Sequence, residues 1–144
     1  MTTKESNPKD LVGVTKRPSS TVSQAVMAEV GVGMLEGTLK YGRHNYRAVG
    51  VRSSVYYDAT RRHIDDWWEG EDLDADSRLS HVTKAICSLV VLRDAMIQGK
   101  WHDDRPPKSL LDKKSLDLHV QELMAKYPNP EPVYTEASHP SGKK

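Results

Sequence analysis

The chain has 144 residues, of which 21 are Lys or Arg and 20 are Asp or Glu, so its formal net charge is +1. This length predicts one domain of ordinary size, and the near-neutral charge argues against a surface that binds extended nucleic acid. The polar first ten residues and the lack of a run of about 18 apolar residues predict neither a secretory signal nor a membrane span, so we expect a cytoplasmic protein.

The first element of the chain is a polar segment without a sustained period. Residues 1–20 contain two prolines, so we expect a flexible arm or an extended docking segment. Apolar residues at helical spacing then predict a first helix over residues 22–40. Ser20 or Thr21 would cap this helix, and Gly42 would follow its end.

The first predicted helix has one charged stripe. Glu29, Glu36 and Lys40 fall within about 40° of each other around the helix axis. The stripe either faces solvent or lines a cleft, where two carboxylates share a divalent cation such as Mg²⁺. Gly33 and Gly37 are costly inside a helix, so they suggest the close approach of another helix or of a ligand.

The order of charges changes sharply after this helix. The segment from Lys40 to Arg52 has four basic residues and no acid, whereas the segment from Asp58 to Asp76 has eight acids. This order suits a metal-bound polyphosphate, because carboxylates hold cations and basic groups hold phosphates.

A second helix is predicted over residues 55–69, capped by Ser53 or Ser54 and ended by Gly70. It has an acidic stripe with one arginine beside it, made of Asp58, Asp65, Glu69 and Arg62. The stripe either belongs to a site shared with the first helix or is an ordinary wet surface on which Arg62 pairs with Asp58.

The third predicted helix, residues 79–98, is apolar over most of its circumference, which is typical of a buried helix. Cys87 within it is expected to be an inert core thiol. Because so small an ordered region buries only a limited fraction of its own surface, we expect a second subunit to cover the rest, in a homo-oligomer that is a dimer or tetramer. The fold class is therefore all-α: a small bundle of three to four main helices over residues 21–107, completed by oligomerisation. A tail over residues 108–144 would contain a short helix near 115–126.

Several blocks of the chain can be compared with a known family. They are Lys40-Tyr41-Gly42, His44-Asn45-Tyr46-Arg47, Tyr56-Tyr57-Asp58-Ala59, Arg62-His63, Trp67-Trp68-Glu69-Gly70-Glu71-Asp72, Asp74-x-Asp76-Ser77, His81, Val91-Leu92-Arg93-Asp94-Ala95-Met96 and Asp103-Asp104-Arg105-Pro106-Pro107. Over about residues 22–107 the chain resembles a largely phage-encoded family, the dATP/dGTP diphosphohydrolases (N-terminal domain). The resemblance implies a relation to the all-α, MazG-like pyrophosphohydrolases, which use Mg²⁺ or Mn²⁺ to cleave nucleoside triphosphates between the α and β phosphates. It also implies the host cytoplasm as the location if the chain is phage-encoded.

The charge stripes and the basic loop, taken together with this resemblance, predict roles for the charged residues. The metal ligands would come from Glu29, Glu36, Asp58, Glu69, Glu71 and Asp72. The substrate would be held by Lys40, Arg47 and Arg62 at its phosphates and by Asn45 and the loop tyrosines at its base or sugar. Glu36 and His63 are the catalytic candidates, with His63 either a general base or a residue that orients the metal ligands. The paired Glu-x-x-Glu and Glu-x-x-Asp signature of the MazG-like group is incomplete, because Glu69-x-x-Asp72 contains Gly70 and Glu29 and Glu36 are seven residues apart.

Two other functions remain open from the sequence. A non-catalytic phage accessory protein would use the same basic loop to bind a nucleotide or a host protein without turnover. An HD-type phosphohydrolase would need an adjacent His-Asp pair on a helix, and His102-Asp103 is the only such pair.

Overall fold

The computed structural model describes residues 7–142, and the regular structure within them is almost entirely helical. Its elements, in chain order, are α1 (Pro8–Gly13), a single 3₁₀ turn (Ser19–Thr21), α2 (Gln24–Tyr41), α3 (Asn45–Ala48), β1 (Val51–Arg52), α4 (Ser53–Trp68), α5 (His81–Ile97), β2 (Trp101–His102) and α6 (Lys113–Lys126). The predicted all-α class is confirmed. The chain divides between Arg105 and Pro106 into two compact units, and α6 belongs to the second.

The N-terminal segment is more ordered than its sequence predicts. Residues 8–13 form α1, because the Asn7 side chain accepts a hydrogen bond from Lys9 N at 3.0 Å and Pro8 occupies the first turn. Six residues are too few to give a recognisable period, so this helix was missed. The part of the expected arm over residues 1–6 lies outside the described residues.

Helix α2 begins later than expected. Because the two predicted caps lie in or beside the 3₁₀ turn, Ser23 caps the helix instead and accepts a hydrogen bond from Val26 N. Gly33 faces α5 so closely that a Cβ on it would lie 2.5 Å from Cys87 Sγ, whereas a Cβ on Gly37 would meet nothing within 4 Å. Gly33 therefore allows α2 to pack closely against α5, as suggested from the sequence, whereas the space beside Gly37 is open.

Helix α4 packs most extensively against α5. A short parallel sheet joins the strand just before α4 to the strand that follows α5. Val51 pairs with Trp101 in the sheet. The predicted caps of α4, Ser53 and Ser54, lie inside the helix rather than before it. A distant carboxylate takes the capping role, since Asp104 accepts hydrogen bonds from the backbone N–H of Ser54 (2.8 Å) and from its hydroxyl.

The loop between α4 and α5, residues 69–80, folds back on itself and ends where α5 begins. Its backbone bonds join Asp74 N to Leu79 O at 2.8 Å and His81 N to Asp72 O at 3.0 Å. Ser77 N donates to the Asp74 carboxylate at 2.8 Å. These bonds fix Asp74 and His81 relative to each other.

The core of the described chain is small. Only four hydrophobic side chains within it are buried, namely Val30, Ala85, Cys87 and Ala95. Helix α5 is not covered all round as its composition suggests, because Leu89 is 49% exposed and Ile97 is 64% exposed. No helix among residues 7–142 combines the length and the apolar character needed to cross a membrane.

Candidate functional site

One pocket of about 280 Å³ opens between α2, α3, α4 and α5. Four of the predicted site residues line it: Glu36 and Lys40 from α2, Asn45 from α3, and His63 from α4. The loop tyrosines Tyr41 and Tyr46 line it as well, and Tyr56, Lys84 and Ser88, which were not predicted, add to the polar lining. The pocket therefore combines acidic, basic and aromatic groups in a space near the lower end of small-molecule sites.

Glu36 is the central charge of this pocket. Its Oε1 accepts hydrogen bonds from Lys84 Nζ at 2.8 Å and from Lys40 Nζ at 3.4 Å. The hydrogen bond from Lys84 is the largest cause that lowers the pKa of Glu36. Lys40 also lies 3.7 Å from Asp76, so it links Glu36 to the acidic α4–α5 loop.

Glu29 is the second acid of the α2 stripe, and it points to a different partner. Its Oε1 accepts a hydrogen bond from the hydroxyl of the buried Thr83 at 2.9 Å. Glu29 and Glu36 thus bind separate residues of α5, and neither belongs to a group of three metal-binding donors among residues 7–142.

The acidic stripe of α4 lies outside the pocket. Asp58 and Arg62 are exposed, and neither lines it. Asp65 lies 3.7 Å from Arg61, so the ion pair observed on this helix is not the expected pair between Arg62 and Asp58. Glu69 ends the helix as its C-cap residue.

Next to the pocket, His63 meets a second histidine at the start of α5. Nδ1 of His63 lies 2.9 Å from Nδ1 of His81, which is 2% exposed. Burial is the main cause that lowers the pKa of His63, so this imidazole is neutral near pH 7. The other ring nitrogen of His81, Nε2, lies 3.2 Å from Glu71 Oε2, but no partner in the described chain meets hydrogen-bond geometry with it.

Two groups of three donors lie close enough together to hold a metal ion, and both include His81. In one, atoms of His63, Asp74 and His81 all lie within 4.8 Å of one another, and in the other the same is true of Asp66, Glu71 and His81. Of the six acids predicted as ligands, only Glu71 belongs to either group among residues 7–142. The donors present therefore fit a divalent cation at His81 rather than along the α2 stripe, where Glu36 is neutralised by lysines.

The basic loop before α4 is held by α5. The guanidinium of Arg47 donates two hydrogen bonds to Asp94, from Nε at 3.2 Å and from Nη2 at 2.6 Å. The guanidinium of Arg47, which was predicted to bind phosphate, is therefore already paired with a carboxylate. His44, just before α3, has a left-handed φ of 65°.

The pair required by an HD-type enzyme is wrongly placed. His102 lies in β2 rather than on a helix, and the Asp103 carboxylate pairs with Arg105 at 2.8 Å. The hydrogen bonds from Arg105 lower the pKa of Asp103 to about 2. This geometry contradicts the helical His-Asp requirement of the HD-type alternative.

The sequence analysis did not include Lys84, Asp74 or His81 among the candidate site residues. Lys84 is a single charge on an apolar helix, and one signal for it was its position three residues after His81 on the same helix face. Asp74 lies in a run of acids, and the sequence gives no reason to prefer one of them as a ligand before the fold of the loop is known.

A comparison with family models places these observations in a known group. Residues 6–105 match the model described as dATP/dGTP diphosphohydrolase, N-terminal. Searches of the curated proteins and of the solved structures found no match. The match spans more than half of the chain and includes α2, α4, α5 and the pocket between them. The chain therefore belongs to the dATP/dGTP diphosphohydrolase N-terminal family.

Proposed function

We propose that this chain hydrolyses purine deoxynucleoside triphosphates, dATP or dGTP, to the monophosphate and pyrophosphate, with Mg²⁺ or Mn²⁺. The family description supports the substrate class and the kind of reaction. The observation that carries the proposal is the contact of Lys40 and Lys84 with one carboxylate, Glu36, at the wall of the pocket. Two ammonium groups beside one carboxylate have a net positive charge, which can bind the phosphates of a triphosphate.

The phosphates would bind at these lysines. Lys40 is half exposed and Lys84 is mostly buried, so Lys40 has room to move toward a ligand while Lys84 stays fixed on α5. Ammonium groups held in a partly buried site stabilise the charge that develops on phosphate oxygens during hydrolysis. Arg47 would first have to leave Asp94 to take part.

The nucleoside would bind at the aromatic side of the pocket. Tyr46 and Tyr56 line it with the amide of Asn45, which supplies both donors and acceptors for a base edge or a sugar hydroxyl. Burial raises the pKa of Tyr56, so its phenol stays protonated and can donate a hydrogen bond. The structure favours no particular purine.

A divalent cation, when bound, neutralises phosphate charge and acidifies a water molecule. The neutral His63 lines the same pocket, where its imidazole either accepts a proton from an attacking water or, where it binds the cation itself, places that water beside the phosphates. Glu36 would hold the two lysines in position. Each of these roles is assigned to a side chain that faces the pocket.

We also propose that the active form is a homo-oligomer, a dimer or tetramer. Helix α5 presents an apolar surface that we call the α5 patch, formed by Ile86, Leu89, Val90 and Ile97. Apolar side chains of α2, such as Leu39 and Val32, are also more than half exposed. A second copy of this chain would remove these apolar surfaces from water.

The direct test is a panel of the common dNTPs and NTPs, each incubated with Mg²⁺ or Mn²⁺ and analysed for product identity. We expect dAMP or dGMP and pyrophosphate in equal amounts. Glu36→Gln should lower the rate at least about tenfold because it loosens both lysines, while Glu122→Gln in the second unit should not. Nucleotide binding without turnover would instead support an accessory protein, and full activity of Glu36→Gln would contradict the role of Glu36.

A further inference from the structure

The two imidazoles beside the pocket face each other with the same nitrogen. His63 Nδ1, on α4, and His81 Nδ1, at the start of α5, are 2.9 Å apart. Ligand atoms that neighbour each other around one ion, each about 2.0–2.1 Å from it, are about 3 Å apart. Asp74 adds a carboxylate oxygen, since one donor atom from each of His63, His81 and Asp74 lies within 4.8 Å of the other two.

These donors are held in place by the protein itself. Asp74 is bonded to Ser77 N through its side chain and to Leu79 O through its backbone, and His81 N is bonded to Asp72 O. Two helices and one short loop therefore meet at this point with their donors converged. A site of this kind binds an ion without a large ordering cost.

The second nitrogen of His81 supplies an independent observation. Nε2 is buried and without a hydrogen bond in the described chain, which is uncommon for a polar atom. It faces the Glu71 carboxylate at 3.2 Å. A histidine that binds a metal through one nitrogen usually directs its other N–H at a carboxylate, and this orients the ring. Glu71 is thus placed to act on His81 rather than on the ion.

We propose that His63 Nδ1, His81 Nδ1 and an Asp74 carboxylate oxygen bind one first-row transition-metal dication of the Zn²⁺ or Mn²⁺ type. Two imidazoles and one carboxylate suit these ions, whereas Mg²⁺ and Ca²⁺ take oxygen ligands almost exclusively. Three protein ligands leave coordination positions open, as in catalytic zinc sites. The assignment does not rest on the proposed function, because it concerns binding of the metal alone.

The first experiment measures metal binding by the untagged full chain without nucleotide. The protein is stripped with a chelator and then titrated calorimetrically with Zn²⁺, Mn²⁺ or Mg²⁺, and the metal retained after gel filtration is measured by elemental analysis. We expect one Zn²⁺ per chain, bound at least about 100-fold more tightly than Mg²⁺. Equal affinity for Mg²⁺, or no retained metal, would overturn the proposal.

The second experiment decides which face of His81 holds the ion, using two matched aspartates. Asp74→Asn keeps the acceptor for Ser77 N but removes the ligand charge, and we expect it to weaken Zn²⁺ binding at least about tenfold. Asp66→Asn, on the Nε2 side, should change the affinity less than about twofold. The reverse result would assign the ion to Nε2 and refute the proposed ligand set. Circular dichroism of both metal-free variants checks that the helices remain.

Discussion

The Nζ atom of Lys84 lies 2.8 Å from Oε1 of Glu36, which joins α5 to α2 across the wall of the pocket. Both side chains are more than two-thirds buried. The contact links the packing of two helices to the charge of the candidate nucleotide site, so a change at either residue should affect both stability and ligand binding.

Lys84→Met should impair nucleotide binding and hydrolysis. Methionine keeps the aliphatic volume but removes the ammonium group, so we expect kcat/KM for dATP or dGTP to fall at least about tenfold. Steady-state pyrophosphate release measures the effect. Lys108→Met, an exposed lysine in the second unit, is the control and should behave like the wild type. Equal activity of the two variants would refute the proposed role of Lys84.

The same contact predicts a pH dependence of folding stability. The bond from Lys84 lowers the pKa of Glu36 below its usual value of 4.5, so the native state binds this proton less readily than the unfolded state. The stabilisation is present in full above about pH 5 and is lost as the pH falls through the native pKa. Urea unfolding of the metal-free protein between pH 6 and 3.5 should show this decrease in the free energy of unfolding. In Lys84→Met the decrease should be smaller by about 1 kcal/mol. Parallel pH profiles for the two proteins would contradict the prediction.

Gly33→Ala should destabilise the packing of α2 on α5. The added Cβ would lie 2.5 Å from Cys87 Sγ, a contact too short to be accommodated unless one of the two helices moves. We expect the free energy of unfolding to drop by about 1–3 kcal/mol. Gly31→Ala on the same helix meets nothing within 4 Å and should be neutral or stabilising by up to about 1 kcal/mol. Thermal or urea unfolding of both variants provides the comparison.

A Cys87→Ala background tests the cause of that destabilisation. Without the sulfur, the nearest atoms to a Cβ at position 33 are Leu79 Cδ1 at 3.7 Å and Cβ of residue 87 at 3.9 Å, which are ordinary contacts. The cost of Gly33→Ala should therefore shrink in this background. An unchanged cost would mean that another contact is responsible.

Leu89→Glu should disrupt the oligomer. Leu89 is half exposed within the α5 patch, and a carboxylate there would be buried without a partner in an interface between two copies. Light scattering at micromolar concentration should then give the mass of one chain for the variant and a multiple of it for the wild type. Leu110→Glu, fully exposed in the second unit, should leave the mass unchanged. A monomeric wild type would refute the proposed assembly.

The sequence by itself determined the four longer helices, the breaks after two of them at Gly42 and Gly70, and the family, because helical period and turn residues are local signals. It also predicted Glu36, Lys40, Asn45 and His63, which line one pocket. The +1 net charge carried none of this information; the order of charges along the chain did.

Only the tertiary structure decided which charges meet. Lys84 joins Glu36 from 48 residues away, Asp94 occupies Arg47, and His63 and His81 face each other although 18 residues separate them. In the sequence the acids of the α4–α5 loop look alike, and only its folded backbone brings Asp74 to the two imidazoles. Charged groups pair when they are close in space. The number of residues between them gives that distance only when both lie on the same helix.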